Sequence, residues 1–402
     1  MTVASGVFGT NLFTTDLAAK SFASMITRLM PNGTAPLFAL TSRLKDEIAL
    51  QIQHGYFSKT MVFPQLTLNA AVADGVATAF TVLSTTGIVA GMLFRHETTF
   101  EQVMVTAVNS GTTLTVRRAV GTVAGAAMGN TTRLFMSGNA YEEGSSRPTA
   151  VHIIADPFTN YTQIFRNSWA LTDTVRATLV IAGESNVSED KADCAAFHAA
   201  DIEKALFFGQ KYLGTYNNQP LHTMDGLINI TTVNAAGNVT TLGATTNWTQ
   251  LEAALDPMFN QVTDPKTGNE RTAFVGGVAL RTINNICRLN STYFVDGQRN
   301  EWGLRFATIR TARGTVHLVE HPLFNTNNVW NKMAVIVDIP TFALAYLGNR
   351  RTMHRTYNQD GSTAQDNGVD AVGGTLTTEL TMLEKNPAAN GILYNFTAAA
   401  AG

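Results

Sequence analysis

Few positions in the chain gather side chains able to do chemistry. His198 and Asp201, in the run HAAD, stand three residues apart, a spacing that brings both to one face of a helix. Two such groups without a third make a poor metal site, and the pattern predicts a histidine held in the core or at the surface. Ser185 closes the run GES at 183–185. That run lacks the second glycine of a nucleophile elbow and precedes a helix start, so a loop is expected there. The two cysteines, Cys194 and Cys287, fall in helical-looking segments far apart and read as small buried hydrophobes, not as a disulfide or a metal pair. HExxH, the phosphate-cradling GxxxxGK(S/T), a GxGxxG between strand and helix, and CxxC are all missing. The residue types therefore predict no catalytic group, no cofactor-binding residue and no metal ligand.

Charge offers a different kind of contact. The densest basic cluster is RRTMHR, Arg350 to Arg355, which suits either nucleic acid or the carboxylates of a neighbouring chain. Without interleaved aromatic residues the protein contact is favoured. Arg95, Arg117, Arg118 and Arg133 lie in a long stretch that holds no lysine, and Glu142 and Glu143 follow them. A guanidinium stays protonated and forms fork-like pairs with carboxylates, strong when partly desolvated. The candidate contact residues are thus Arg95, Arg117, Arg118, Arg133, Glu142, Glu143, Arg350 and Arg351.

Charge is scarce overall. Of 402 residues only 14% are charged, against ~25% in an average soluble chain. The surface must be covered by Thr, Ser, Asn, Gly and Ala. Such a surface suits burial against other protein, because interface centres are poor in Lys, Glu and Asp; a neutral monomer fits the composition as well. The net charge of -2 provides no general basic field for holding nucleic acid. The opening MTVASGVFGTNLFTTDLAAKS has no charged segment followed by an apolar one, and no window reaches the ~18 apolar residues of a membrane helix. These features predict a protein made and kept in a cytosol.

The elements that position these groups follow from periodicity. Residues 1–35 read as an extended arm with apolar anchors Val7, Phe8, Leu12 and Phe13. Leu37, Leu40, Leu44, Ile48 and Ile52 recur at helical spacing and predict a short amphipathic helix. From Phe63 the period changes. ATAFTVLSTTGIVAGMLF, EQVMVTAV and TTLTVRRA read as strands punctuated by Gly87, Gly91 and a hairpin loop at Asn109 to Gly111, a compact all-β module over about 64–140 that ends at the polar linker YEEGSSRP. Extended segments follow, and then the clearest helix, NVSEDKADCAAFHAADIEKALFFGQK. Asn186 and Glu189 have capping-box spacing and Gly209 marks a stop. Ala195, Ala199, Ile202 and Leu206 form its expected apolar stripe, with Asp193, Glu203 and Lys204 off it. Beyond it, NWTQLEAAL and GVALRTINNICRL read as helices flanking the strand TAFVGG. LRFATIRT, TVHLVE, MAVIVDI, TFALAYL, TLTTELTML and GILYNFT read as strands. The expected class is α+β.

This order of parts resembles the major capsid proteins of tailed bacteriophages, the HK-ninety-seven-like fold, and within it the family with an extra β module in the extended loop. FTNYTQIFRNSWALTDTVRA, AADIEKALFFGQK, GTVHLVEHPLF and TLTTELTMLEKNPAANGILYNFT carry the match. The resemblance implies an N-terminal arm and short helix over 1–60, an extended loop with the inserted β module over 61–148, and a peripheral domain with a spine helix over 149–219. It further implies an axial domain over 220–345 and returning strands of the peripheral domain over 346–402. The implied function is self-assembly into an icosahedral shell around phage DNA, with no enzyme activity and no cofactor. The implied partners are copies of the chain in hexamers and pentamers, a portal and a decoration protein, with no sequence-specific DNA contact and no membrane. The implied location is the virion, assembled in the bacterial cytoplasm. A tail-tube or decoration subunit is argued against by the uninterrupted long helix, and a hydrolase with a β-rich accessory domain by the lack of a triad or metal set.

Some capsids of this fold weld neighbours by an isopeptide bond from a lysine in the extended loop, which requires a desolvated neutral amine and a nearby carboxylate to move protons. Here no lysine occurs between Lys59 and Lys191, and arginine does not supply a neutral amine. The shell is expected to be non-covalent. After boiling in detergent the protein should run as one band near 43 kDa, and a ladder of larger species that survives boiling and reductant would refute this.

Overall fold

The computed structural model describes residues 35–41, 44–59, 64–178, 186–243, 246–260, 269–289, 299–301, 304–357 and 370–397. The expected arm, the GES loop and the side-chain cap at Asn186 lie outside the described residues. The chain divides into two units, Phe57–Pro157 and a larger one made of Met1–Tyr56 with Phe158–Gly402.

In the smaller unit the alternating pattern of the sequence becomes a six-stranded antiparallel sheet. Its order is Gln65–Thr67, Arg133–Asn139, Met92–His96, Gln102–Val108, Thr113–Arg117 and Ala79–Thr81. The first and last strands then meet: Leu68 bridges Val82, the Asn69 amide donates to the Thr81 carbonyl at 2.8 Å, and the Leu83 amide donates to the Thr67 carbonyl at 3.0 Å. These bonds close the sheet into a small barrel. Leu66, Phe80, Phe94, Val103, Val105, Leu114, Val116 and Leu134 fill it from alternate positions of the strands. The run AVGTVAGAAMG at 119–129, between the strands Thr113–Arg117 and Arg133–Asn139, has a packing role. A Cβ on Gly125 would lie 2.1 Å from the Gly75 carbonyl oxygen, and one on Gly75 would lie 2.2 Å from that of Gly125. Only glycine at both places lets the two backbones cross this closely, beside the bridge between Val72 and Met128.

The larger unit holds two main sheets. Five strands form the first, in the order Glu47–Ala49, Phe342–Leu347, Ala371–Glu384 and Gln163–Thr172, with Met353–Tyr357 also pairing Ala371–Glu384. Seven form the second: Val239–Thr241, Gly391–Tyr394, Ala334–Val337, Glu270–Val275, Thr315–Glu320, Leu304–Arg310 and Arg299–Glu301. The run AVIV is buried at all four positions because both faces of this sheet are covered. Val335 and Val337 join the core beneath the long helix Asn186–Phe208, while Ala334 and Ile336 join a second core under the helices Trp248–Leu255 and Gly277–Leu289. Trp248–Leu255 starts in a full capping box between Asn247 and Gln250.

Several expectations need correction. The periodic run after Pro36 is helical only over Pro36–Thr41. Residues 47–49 instead pair in parallel with residues 345–347, leaving Ile48 67% and Leu50 89% exposed. Backbone pairing to a distant strand outweighs the local spacing. On the long helix the buried stripe is Cys194, His198, Ile202 and Leu206 with Phe207, while Ala195 is exposed. Glu203, expected outside the stripe, is fully buried. Two of the elements that carried no reading from the sequence lie directly after the long helix. One is the helix Leu227–Asn234, and the other is the hairpin Tyr212–Tyr216 with Gln219–Thr223, turned by Asn217 and Asn218 at φ 49 and 58, a left-handed pair that suits a two-residue hairpin. The partition expected at residues 345 and 346 does not follow the sheets, since Phe342–Leu347 lies in the first and Gly391–Tyr394 in the second.

Buried charge stitches the larger unit together. Arg271 lies 3.6 Å from Asp338, both buried, and donates to the carbonyls of Ala389, Met258 and Glu270. Glu384 accepts from Thr341 Oγ1 at 2.6 Å and from the Asn386 amide at 3.2 Å. Burial pushes its carboxyl up to about 7, with the Asp338 charge adding to the rise and the bonds from Thr341, Asn386 and Asn390 opposing it. Because this folded value lies above the ordinary 4.5, the native state keeps a proton that the unfolded chain releases. Stability should therefore fall as pH rises from about 4.5 to about 7, by about 3 kcal/mol in all. Glu384→Gln should abolish that loss, so urea unfolding should find the variant's advantage growing over this window. An advantage that is the same at both ends would refute the assignment.

Candidate functional site

The residues singled out for contact are placed very differently by the fold. Arg118 turns inward. Its Nε donates to Glu101 Oε1 at 2.7 Å and its Nη2 to Oε2 at 2.8 Å, and the same guanidinium reaches the carbonyls of Asp74 and Ala126. Glu101 is fully buried and also accepts from the amides of Ala119 at 3.3 Å and Ala126 at 3.1 Å. Burial alone would raise its pKa. The bonds from Arg118 and the two amides, with the Arg118 charge, outweigh that and hold the carboxyl below its ordinary range. The pair thus fixes the Ala119 to Ala126 turn onto the barrel; the contact expected of Arg118 with a neighbour is corrected to a clamp within its own unit.

Arg95, Arg117, Arg133, Glu142 and Glu143 are exposed, and Arg95 lies over the Phe100 ring at 4.9 Å. Among the described residues no ion pair joins these arginines to these glutamates. Arg350 bonds Glu379 at 2.8 Å and Arg351 bonds Asp46 at 2.6 Å, so both have partners in their own chain.

The long strand Ala371–Glu384 builds a further feature. Arg166 and Met353 flank Thr377 on its two sides, and Arg355 stands opposite Thr375. Side chains alternate along a strand, so Arg166, Arg355, Thr375 and Thr377 share one face. The opposite face meets the long helix: His198 bonds Asn167 and Thr378, each at 2.7 Å, and Trp169 Nε1 donates to His354 Nε2 at 3.0 Å. His198 is accordingly a core histidine. On the first face Arg166, Arg350, Arg355, Thr375, Thr377, Ile164, Met353, Thr356 and Tyr357 line a cleft of about 710 Å³. Arg166 and Arg355 were not singled out from sequence, although the alternation Ile164, Arg166, Ser168 around Phe165 and Trp169 already assigns Arg166 to the face opposite the helix. Among the described residues no group of three or more His, Cys, Asp or Glu could hold a metal ion. Among the described residues no helix is long and apolar enough to cross a membrane.

Comparison with known proteins decides what a chain of these two units does. The family model described as SU10 major capsid protein matches residues 7–397. The chain belongs to the SU10 major capsid protein family. It is 40% identical to the major capsid protein of Pseudomonas phage PaMx41 over 399 residues, 96% of this chain and 94% of that one. A solved structure from Mycobacterium phage Bobi aligns with TM-score 0.49 and 9% identity over 94% of this chain and 96% of that one. A solved capsid of a native GTA particle aligns with TM-score 0.45 and 9% identity over 96% and 97%. The chain is a phage major capsid protein, a component of the virion.

In this capsid protein the barrel should depend on its buried clamp. Removing one member of a buried pair leaves the other uncompensated, at about 3–5 kcal/mol. Arg118→Ala should therefore speed hydrogen exchange at the amides of Ala119 and Ala126 while leaving amides of the long helix unchanged. Unaltered exchange at those two amides would show that the clamp does not order the turn.

Proposed function

We propose that the chain assembles with copies of itself into a closed icosahedral shell of hexamers and pentamers around phage DNA, as a structural subunit without catalysis. The match of the capsid family along residues 7–397 carries this reading. In it, the long helix and the five-stranded sheet form the peripheral domain of an HK-ninety-seven-like fold, and the seven-stranded sheet with its helices forms the axial domain. Phe57–Pro157 is the extended loop bearing the inserted module. Portal and decoration proteins are its further partners, and assembly takes place in the bacterial cytoplasm.

Surface composition supports the same reading. Tyr212, Leu213, Tyr216 and Leu221 all stand exposed on one hairpin, a grouping of large apolar side chains that marks protein contact surfaces. Negative-stain images of the purified protein should show closed shells or rings of five and six. Open tubes, or single subunits at every concentration, would overturn the proposal.

A further inference from the structure

We propose that the arginine cleft on the five-stranded sheet receives the adjacent carboxylates Glu142 and Glu143 of a second copy of this chain. The inference rests on the shell reading above and specifies one of its contacts.

The cleft carries excess positive charge. Three arginines line it, and the carboxylate that Arg350 meets, Glu379, is buried and also accepts from Thr162 Oγ1. Arg166 and Arg355 are exposed, and among the described residues neither pairs with an acid. Arg350, 46% exposed in its side chain, gives one nitrogen to Glu379 and has further donors in its fork. The hydroxyls of Thr375 and Thr377 stand on the same face. The site offers donors in a fixed array to an oxyanion that the described residues of its own unit do not provide.

The complementary group is found on the same chain. Three pairs of neighbouring acids occur in the sequence. Asp46 and Glu47 are bonded to Arg351 and Lys385. Glu189 sits in the first turn of the long helix, where the dipole favours it, and Asp190 follows it, both half-buried. Glu142 and Glu143 remain, exposed, in a segment with neither helix nor strand, and without an ion pair among the described residues. Two guanidiniums facing two carboxylates form a contact with direction and register. A polynucleotide is a poorer match, because phosphate binding draws on an extended basic stripe, and this is an isolated pocket in a chain of net charge -2.

Charge reversal tests the pairing. The double variants Arg166→Glu/Arg355→Glu and Glu142→Arg/Glu143→Arg should each lower shell yield by about tenfold or more, and the four substitutions together should restore it. A fluorescent peptide of residues 138–148 should bind the native full-length chain, weaken with salt, and lose about tenfold in affinity to Arg166→Glu/Arg355→Glu. Circular dichroism checks folding, with Arg166→Gln/Arg355→Gln substituted if the reversed chain does not fold. Normal shells from either reversed variant, no rescue in the combination, or no peptide binding overturns the proposal. Binding of duplex DNA that vanishes in Arg166→Glu/Arg355→Glu while the peptide stays unbound also overturns it and assigns the cleft to phosphate. Peptide binding by a native chain that forms no shells supports the pairing and counts against the shell reading alone.

Discussion

The buried carboxylate of Glu203 is the interaction on which the larger unit depends. It accepts from the amides of Leu37 at 2.8 Å and Phe38 at 2.7 Å, and meets His321 Nε2 at 2.8 Å. A carboxylate taken out of water is tolerated only when its lone pairs are met. Three remote parts of the chain meet here: the long helix supplies the acceptor, and the donors come from the start of Pro36–Thr41 and from His321, directly after the strand Thr315–Glu320. Phe207, one turn further along the helix, adds edge contacts to Phe274, Phe324 and the His321 ring at 4.8 to 5.4 Å. A mispositioned helix would strand the charge and open the aromatic cluster together, so one residue penalises several wrong arrangements at once.

Glu203 also illustrates how the chain uses its scarce charge. Glu101 with Arg118, Arg271 with Asp338, and Glu203 with His321 are all interior pairs, and Glu384 is interior as well. The low charged fraction thus understates how little charge faces outward. Solvent meets mainly threonine, asparagine, alanine and glycine, groups that can be covered by a neighbour without desolvating an ion. Outward charges without an ion pair among the described residues, such as Arg166, Arg355, Glu142 and Glu143, then become selective marks on a sparsely charged background.

What could be read from the sequence was local. The barrel strands and the helices Trp248–Leu255 and Gly277–Leu289 announce themselves within a few residues, through alternation or helical spacing. The failures were long-range. Leu37 to Ile52 has helical spacing, yet residues 47–49 are claimed by a strand some three hundred residues away. Glu203 looked like a solvent residue because its partners are 166 and 118 positions distant. Arg118 looked available because Glu101 is invisible as its partner until the barrel closes. The hairpin at Asn217 and Asn218 was the avoidable omission, since paired asparagines are a hairpin signal in their own right. At the candidate site, the strand face of Arg166 was legible and the register that brings Arg355 beside it was not.

Closure of the barrel has a consequence for life in a crowd. Copies held side by side at very high local concentration run the risk that an open strand edge recruits its counterpart, growing ribbons in place of defined contacts. The bonds from Asn69 to Thr81 and from Leu83 to Thr67 leave that module without a free edge between its first and last strands. In the proposed shell, a neighbouring copy would find no open backbone at that seam to extend, and a contact there would end where its side-chain chemistry ends.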